Sequence, residues 1–164
     1  MELLVETVVE KELSDYEIER GKPMPSLNHS HLQSILLIEL GTRYRKNYSF
    51  LSELNVKMLV RPDTVPDIAI YPKMKIDYLH DITSMEEIPI TAIEIVSPSQ
   101  SNDDILAKFE RYFLAGVQSC WLVMPSFQAI SVYSGIGKYQ FFNADMTLID
   151  KATNIELPLS EIFC

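Results

Sequence analysis

A chain of 164 residues has room for one domain with a real core and not for two. Hydrophobic residues make up 47% and charged residues 23%, an ordinary globular balance. The formal net charge of −9 argues against broad, nonspecific binding to nucleic acid, because phosphate contacts need clustered Lys and Arg.

That charge is uneven. Residues 43–75 hold Arg43, Arg45, Lys46, Lys57, Arg61, Lys73 and Lys75 against Glu53, Asp63 and Asp67. Residues 1–20 hold seven acids against Lys11 and Arg20. A basic face opposite an acidic one and charges scattered over a surface both accommodate these counts. Cys120, in an apolar run, and Cys164, the last residue, make neither a disulfide framework nor a zinc spacing, which fits a reduced, cytoplasmic compartment. The N-terminal stretch is acidic and has no long apolar core, so no signal peptide is expected. Residues 113–137 carry no charge, but Gln118, Ser119, Pro125, Ser126 and Gln128 interrupt them with turn chemistry. Buried strands, not a membrane span, are expected there.

In chain order, residues 1–13 form an amphipathic lead-in. Tyr16-Glu17-Ile18-Glu19-Arg20 alternates apolar and polar and predicts a strand. Gly21 allows a turn, Pro23 and Pro25 keep the chain extended, and Ser26 or Asn28 can cap a helix. That helix carries Leu32, Ile35, Leu36 and Leu40 on one stripe and is expected to stop near Gly41. Residues 48–51 and 56–60 predict a hairpin pair, and 66–71 a third strand. Residues 72–88 are polar and irregular and read as a loop with some local structure. Residues 90–96 predict a buried strand, broken by Ser97-Pro98-Ser99. A helix over 102–115 bears Ile105, Leu106, Phe109, Tyr112 and Phe113 on one side and ends at Gly116. A strand over 119–124, a hairpin of 129–133 with 138–142, a short strand and a last turn near 159–163 complete the chain. The order predicts a single mixed α/β or α+β domain over 1–164, with a mixed central sheet flanked by helices.

Two acids stand out. Asp67 opens an apolar run, and Glu94 interrupts Ile93-Glu94-Ile95. Carboxylates inside apolar strands are costly unless paired, protonated or bound to a metal. If the two strands are neighbours, both can converge on one hard cation, and Mg²⁺ prefers one or two carboxylates with waters and phosphate oxygens. Lys108 lies roughly 40° from Tyr112 on the edge of the next helix's apolar stripe, so it can lean over the sheet. Asp104 sits one turn earlier, in register to pair with it. Taken singly, Pro-Asp reads as a turn, a strand Glu as an edge position and a helical Lys as a solvated charge. Ser97 and Ser99 belong to no Ser-His-acid arrangement or nucleophile elbow and read as caps of the next helix or as a bend in the chain.

Asp67 followed by Glu94-Ile95-Val96 resembles the PD-(D/E)XK nuclease superfamily, with Val96 where that pattern has Lys. Within it the chain resembles the Uma-two family of restriction-endonuclease-like proteins over roughly residues 12–162. The matching segments, in order, are Tyr16 to Gly21, His31 opening a helix, Val65 to Ala69, Ile93 to Ser99, Asp104 with Lys108, and Ala115-Gly116-Val117 leading into Trp121. The resemblance implies a restriction-endonuclease-like core and a Mg²⁺-dependent endonuclease, with Mn²⁺ able to substitute. It implies Asp67 and Glu94 as metal ligands and Lys108 as the catalytic lysine, moved to the helix after the second motif. It marks Glu17 as a third acid, with Glu19 and Glu39 as rivals, and His31 as a phosphate or water contact or a plain first-turn residue. The family's acid after the glycine is Lys22 here. The implied partner is nucleic acid, DNA before RNA, with no membrane and with a two-fold homodimer to cut a duplex. A non-catalytic binding module on the same fold and a metal-dependent hydrolase of small phosphoesters are the alternatives.

Overall fold

The computed structural model describes residues 12–15, 18 and 24–164. Glu17, Glu19 and the expected lead-in over 1–11 lie outside the described residues. Ile18, placed by its alternation in a strand, is helical, and its amide donates to the Ser14 carbonyl at 3.0 Å. Alternation over five residues was too short to exclude a helical turn.

Helix α1 (Leu27–Tyr44) begins where the Ser26 hydroxyl accepts the His29 amide at 3.2 Å. It runs past Gly41, whose carbonyl still accepts the Arg45 amide at 3.1 Å. Strands β1 (Tyr48–Ser52), β2 (Asn55–Val56), β3 (Ile68–Pro72), β4 (Ser84–Met85) and β5 (Thr91–Ile95) follow. Helix α2 (Asn102–Ala115) then leads to β6 (Ser119–Met124), β7 (Ala129–Gly135), β8 (Lys138–Asn143), β9 (Thr147–Asp150) and β10 (Ile155–Pro158).

Among the described residues, the central sheet has six strands in the order β1-β3-β5-β6-β7-β8. Only β5 and β6 pair in parallel, joined through α2; the other neighbours are antiparallel. The sheet is therefore mixed, and the domain α+β. The expected hairpin of 48–51 with 56–60 does not form. β1 pairs with β3, while β2 pairs in parallel with β4, a short strand inside the segment read as loop. Glu53, at φ 55°, turns the chain away between β1 and β2.

The central strands read as nearly continuous apolar runs because both faces are covered. Ile93 and Ile95 of β5, with Trp121 and Val123 of β6, pack on Leu32, Leu36 and Leu40 of α1 and on the β9–β10 ribbon through Leu148 and Leu157. Ala92, Cys120 and Leu122 face the other way, onto Ile105, Phe109 and Tyr112 of α2. Burying side chains of this size is worth about 1.5–3 kcal/mol each, so the two helices are fixed against opposite faces of the sheet.

Candidate active site

Asp67 immediately precedes β3, and its residue is only 3% exposed. Its Oδ2 accepts the Ile95 amide of β5 at 2.8 Å. The same oxygen lies 3.2 Å from His29 Nε2. Gln33, one helical turn after His29, donates its side-chain amide to the Asp67 carbonyl at 3.2 Å. Residues four apart share a helix face, so one edge of α1 holds both ends of Asp67.

Glu94 lies inside β5 and is 2% exposed. Strand alternation turns it toward α2, on the side of Ala92. There the Tyr112 hydroxyl donates to Oε1 at 2.8 Å, and Lys108 Nζ stands 3.8 Å from the same oxygen. Tyr112 also bonds the Thr64 hydroxyl at 2.9 Å. Burial, then the nearby Glu94 charge, pushes the Tyr112 phenol well above its ordinary 10.0, so it stays a donor. Lys108 is partly exposed.

The ladder joins the two acids. Ile68 pairs with Ile93 on adjacent antiparallel strands, so the ladder ends one residue from each acid. The Asp67 carboxylate already touches the backbone of the residue after Glu94. Two buried hard-oxygen donors on neighbouring segments, with a lysine beside one, are of the chemistry that suits a small hard cation such as Mg²⁺. Among the described residues, no group of three or more His, Cys, Asp or Glu side chains is arranged to hold a metal. Mg²⁺ tolerates so few protein ligands because it keeps most of its waters.

The remaining candidates fall elsewhere. His31 is on the exposed side of α1 and lines a cavity of about 270 Å³ with Leu32, Pro125 and Phe163. The histidine against Asp67 is His29, which the sequence reading passed over although it lies three residues before Leu32 and seven before Leu36, on their stripe. Asp104 does not pair with Lys108. Its Oδ2 accepts the Ser101 amide at 3.3 Å while its own amide bonds the Ser101 hydroxyl at 3.2 Å, a reciprocal cap on α2. Glu39 is held by Arg43 at 3.3 Å one turn on.

A family model described as Uma2, putative restriction endonuclease, matches residues 2–159. Among solved structures, the chain is similar to the crystal structure of a putative nuclease belonging to DUF820 from Anabaena variabilis. The two share 23% identity and a TM-score of 0.74, covering 86% of this chain and 83% of that one. That likeness shows the fold. A match to a DrdV–DNA complex, at 12% identity over 69% of this chain and 12% of the other, has a TM-score of 0.36 and carries no argument. No curated protein matches the chain.

Proposed function

This chain belongs to the Uma2 family of putative restriction endonucleases, and from that membership we propose that it hydrolyses phosphodiester bonds of nucleic acid, DNA first, at the site built by Asp67, Glu94 and Lys108. The observation that carries the reading is the burial of two carboxylates, Asp67 just before β3 and Glu94 within the adjacent β5, with an ammonium 3.8 Å from one of them. Buried charges cost several kcal/mol each unless other charges and hydrogen bonds offset them. His29 and the Ile95 amide do this for Asp67, and Tyr112 and Lys108 for Glu94.

Asp67 and Glu94 are the residues that would hold Mg²⁺ or Mn²⁺. When bound, such an ion polarises a phosphoryl oxygen and makes its own water a better nucleophile. Lys108 presents its ammonium where negative charge develops on the phosphate, and α2 keeps that charge aimed before the substrate arrives. Val96, at the position of the superfamily's usual lysine, can neither carry charge nor donate a hydrogen bond. Lys108 replaces it from the neighbouring helix. A two-fold pair of such sites would cut both strands of a duplex.

Lys108→Ala is expected to leave the circular dichroism spectrum and Mn²⁺ binding intact. Its cleavage of plasmid DNA should fall on the order of 10²–10³-fold, as when one preorganised charge-stabilising donor is removed. Lys108→Arg should recover little, because the guanidinium is wider and differently shaped. Unchanged cleavage in the alanine variant would reduce Lys108 to a surface charge. Cleavage of a small phosphodiester with intact plasmid would move the substrate to small phosphoesters. Mn²⁺ binding without any cleavage would leave a binding module.

A further inference from the structure

Each acid of the site has one carboxylate oxygen against a buried polar side chain, and the two side chains come from helices on opposite faces of the sheet. On one side, His29 of α1 is 6% exposed and reaches Asp67 Oδ2 at 3.2 Å, while its Nδ1 is buried without a hydrogen-bond partner. On the other, Tyr112 of α2 is 1% exposed and donates to Glu94 Oε1 at 2.8 Å. Neither polar atom is needed to fill space. A leucine would occupy the first turn of α1 without stranding a ring nitrogen, and a phenylalanine would pack beside Phe109 as tyrosine does.

We propose that His29 and Tyr112 are positioning residues of the metal site, one for each ligand. His29, with the Ile95 amide, fixes the side-chain rotation of Asp67. Tyr112, itself held by Thr64, fixes that of Glu94. Groups that hydrogen-bond metal-binding carboxylates set their orientation and basicity, and losing one commonly weakens metal affinity 10–100-fold. Here the two supports lie in different hydrophobic layers, so the spacing of the carboxylates records how both α1 and α2 dock on the sheet. Gln33 reinforces the α1 side from one turn away by holding the Asp67 carbonyl. Lys108, farther from Glu94 Oε1 than Tyr112 is, is left to act on the substrate.

The inference rests on Asp67 and Glu94 being the metal ligands, and Mn²⁺ titration by calorimetry tests it without using activity. Tyr112→Phe removes one oxygen and keeps the ring, so it should fold. Its Mn²⁺ dissociation constant is expected to rise roughly 10–100-fold. His29→Leu should do the same, and His29→Gln, whose amide can reach the place of Nε2, should recover most of the loss. If melting temperatures fall while Mn²⁺ affinity stays at the wild-type value in Tyr112→Phe and His29→Leu, the two residues are structural and the inference is overturned. A wild-type protein that shows no Mn²⁺ binding overturns the metal reading and this inference with it. A wild-type protein that binds Mn²⁺ and cuts nothing, with binding weakened in both variants, removes the proposed activity and leaves the positioning roles standing.

Discussion

Asp150 is as buried as Asp67, 1% exposed, yet its surroundings are those of a structural acid. Its Oδ2 accepts the Ser119 hydroxyl at 2.7 Å and the Trp121 indole at 2.9 Å, with the Thr91 hydroxyl at 3.4 Å, and its Oδ1 accepts the Ala152 amide at 2.9 Å. These bonds tie the β9–β10 ribbon to the first residues of β5 and β6, the end of the sheet away from Glu94 and Ile95. Asp150→Ala should strand the Trp121 indole donor in the core and leave the Ser119 hydroxyl only Thr91, 2.6 Å away. We expect a loss of about 3 kcal/mol in urea unfolding, with Mn²⁺ affinity unchanged in the folded protein. A loss under ~1 kcal/mol would mean that water reaches those donors. Glu94 was legible in the sequence because apolar residues flank it on both sides. Asp150 was not, because Lys151 follows it and the pair reads as a turn. His29 carried a legible signal, its place on the Leu32–Leu36–Leu40 stripe, which the nearby His31 obscured.

At the level of elements, local signals held where they were dense, and partner choice escaped them. Helix α2 has both ends written in its sequence. Ser101 with Asp104, and not Ser97 or Ser99, caps its start, and Gly116, at φ 103°, closes its end in a left-handed conformation that a side chain would strain. Ser101→Ala should remove the cap from an exposed position and cost about 1 kcal/mol, read as a lowered midpoint in thermal unfolding by circular dichroism. Because α2 carries both Lys108 and Tyr112, fraying of its first turn should disturb Lys108 before Tyr112, which lies two turns further in. An unchanged midpoint would show that Asp104 alone holds the helix start. Helix α1 outran Gly41 because a single glycine inside a helix costs only about 1 kcal/mol against the burial of Leu36 and Leu40. The pairing of β1 with β3 and of β2 with β4 was hidden for another reason. Adjacent strand-like runs favour a hairpin locally, but β1 pairs with β3 instead, which packs Phe50 into the α1-side core and Leu51 against Ala69, Tyr71 and Met85.

For the molecule as a whole, charge is arranged differently from the pattern expected of a cleft ringed by lysine and arginine. Arg45 and Lys46 precede β1, and the Lys73 amide bonds the Asn47 carbonyl, so with Lys75 they gather past Pro72, roughly 17 Å along β3 from Asp67. Lys57 is held by Glu86, Arg61 by Asp63 and Arg43 by Glu39. The strand periodicity alone could not say at which end of β3 these cations would collect. Among the described residues no helix is long and apolar enough to cross a membrane.

The buried phenols and thiol give the fold a defined alkaline limit. Burial raises the Cys120 thiol far above its ordinary 9.0, with the Glu94 and Asp150 charges adding to the shift. Burial likewise raises Tyr71, aided by Glu87, and Tyr133, aided by Tyr139, above 10.0, and Tyr112 moves the same way. For each group the folded state holds its proton after the unfolded chain has lost it. Unfolding then releases protons, and stability falls as pH rises through the unfolded values. No loss from these groups is expected below about pH 8.5. The decline should begin near pH 9 with Cys120 and steepen past pH 10, each fully buried group contributing up to about 1.4 kcal/mol per pH unit. Tyr71 is buried, and its hydroxyl donates to the Glu87 carbonyl at 2.9 Å, which favours its protonated form in the fold. Urea unfolding at half-unit intervals from pH 7.5 to 11 measures the slope directly. Cys120→Ala should delay the onset to about pH 10, at some cost in core packing at every pH. A stability curve that stays flat to pH 11 would show that these groups ionise in the folded protein as easily as in the unfolded chain.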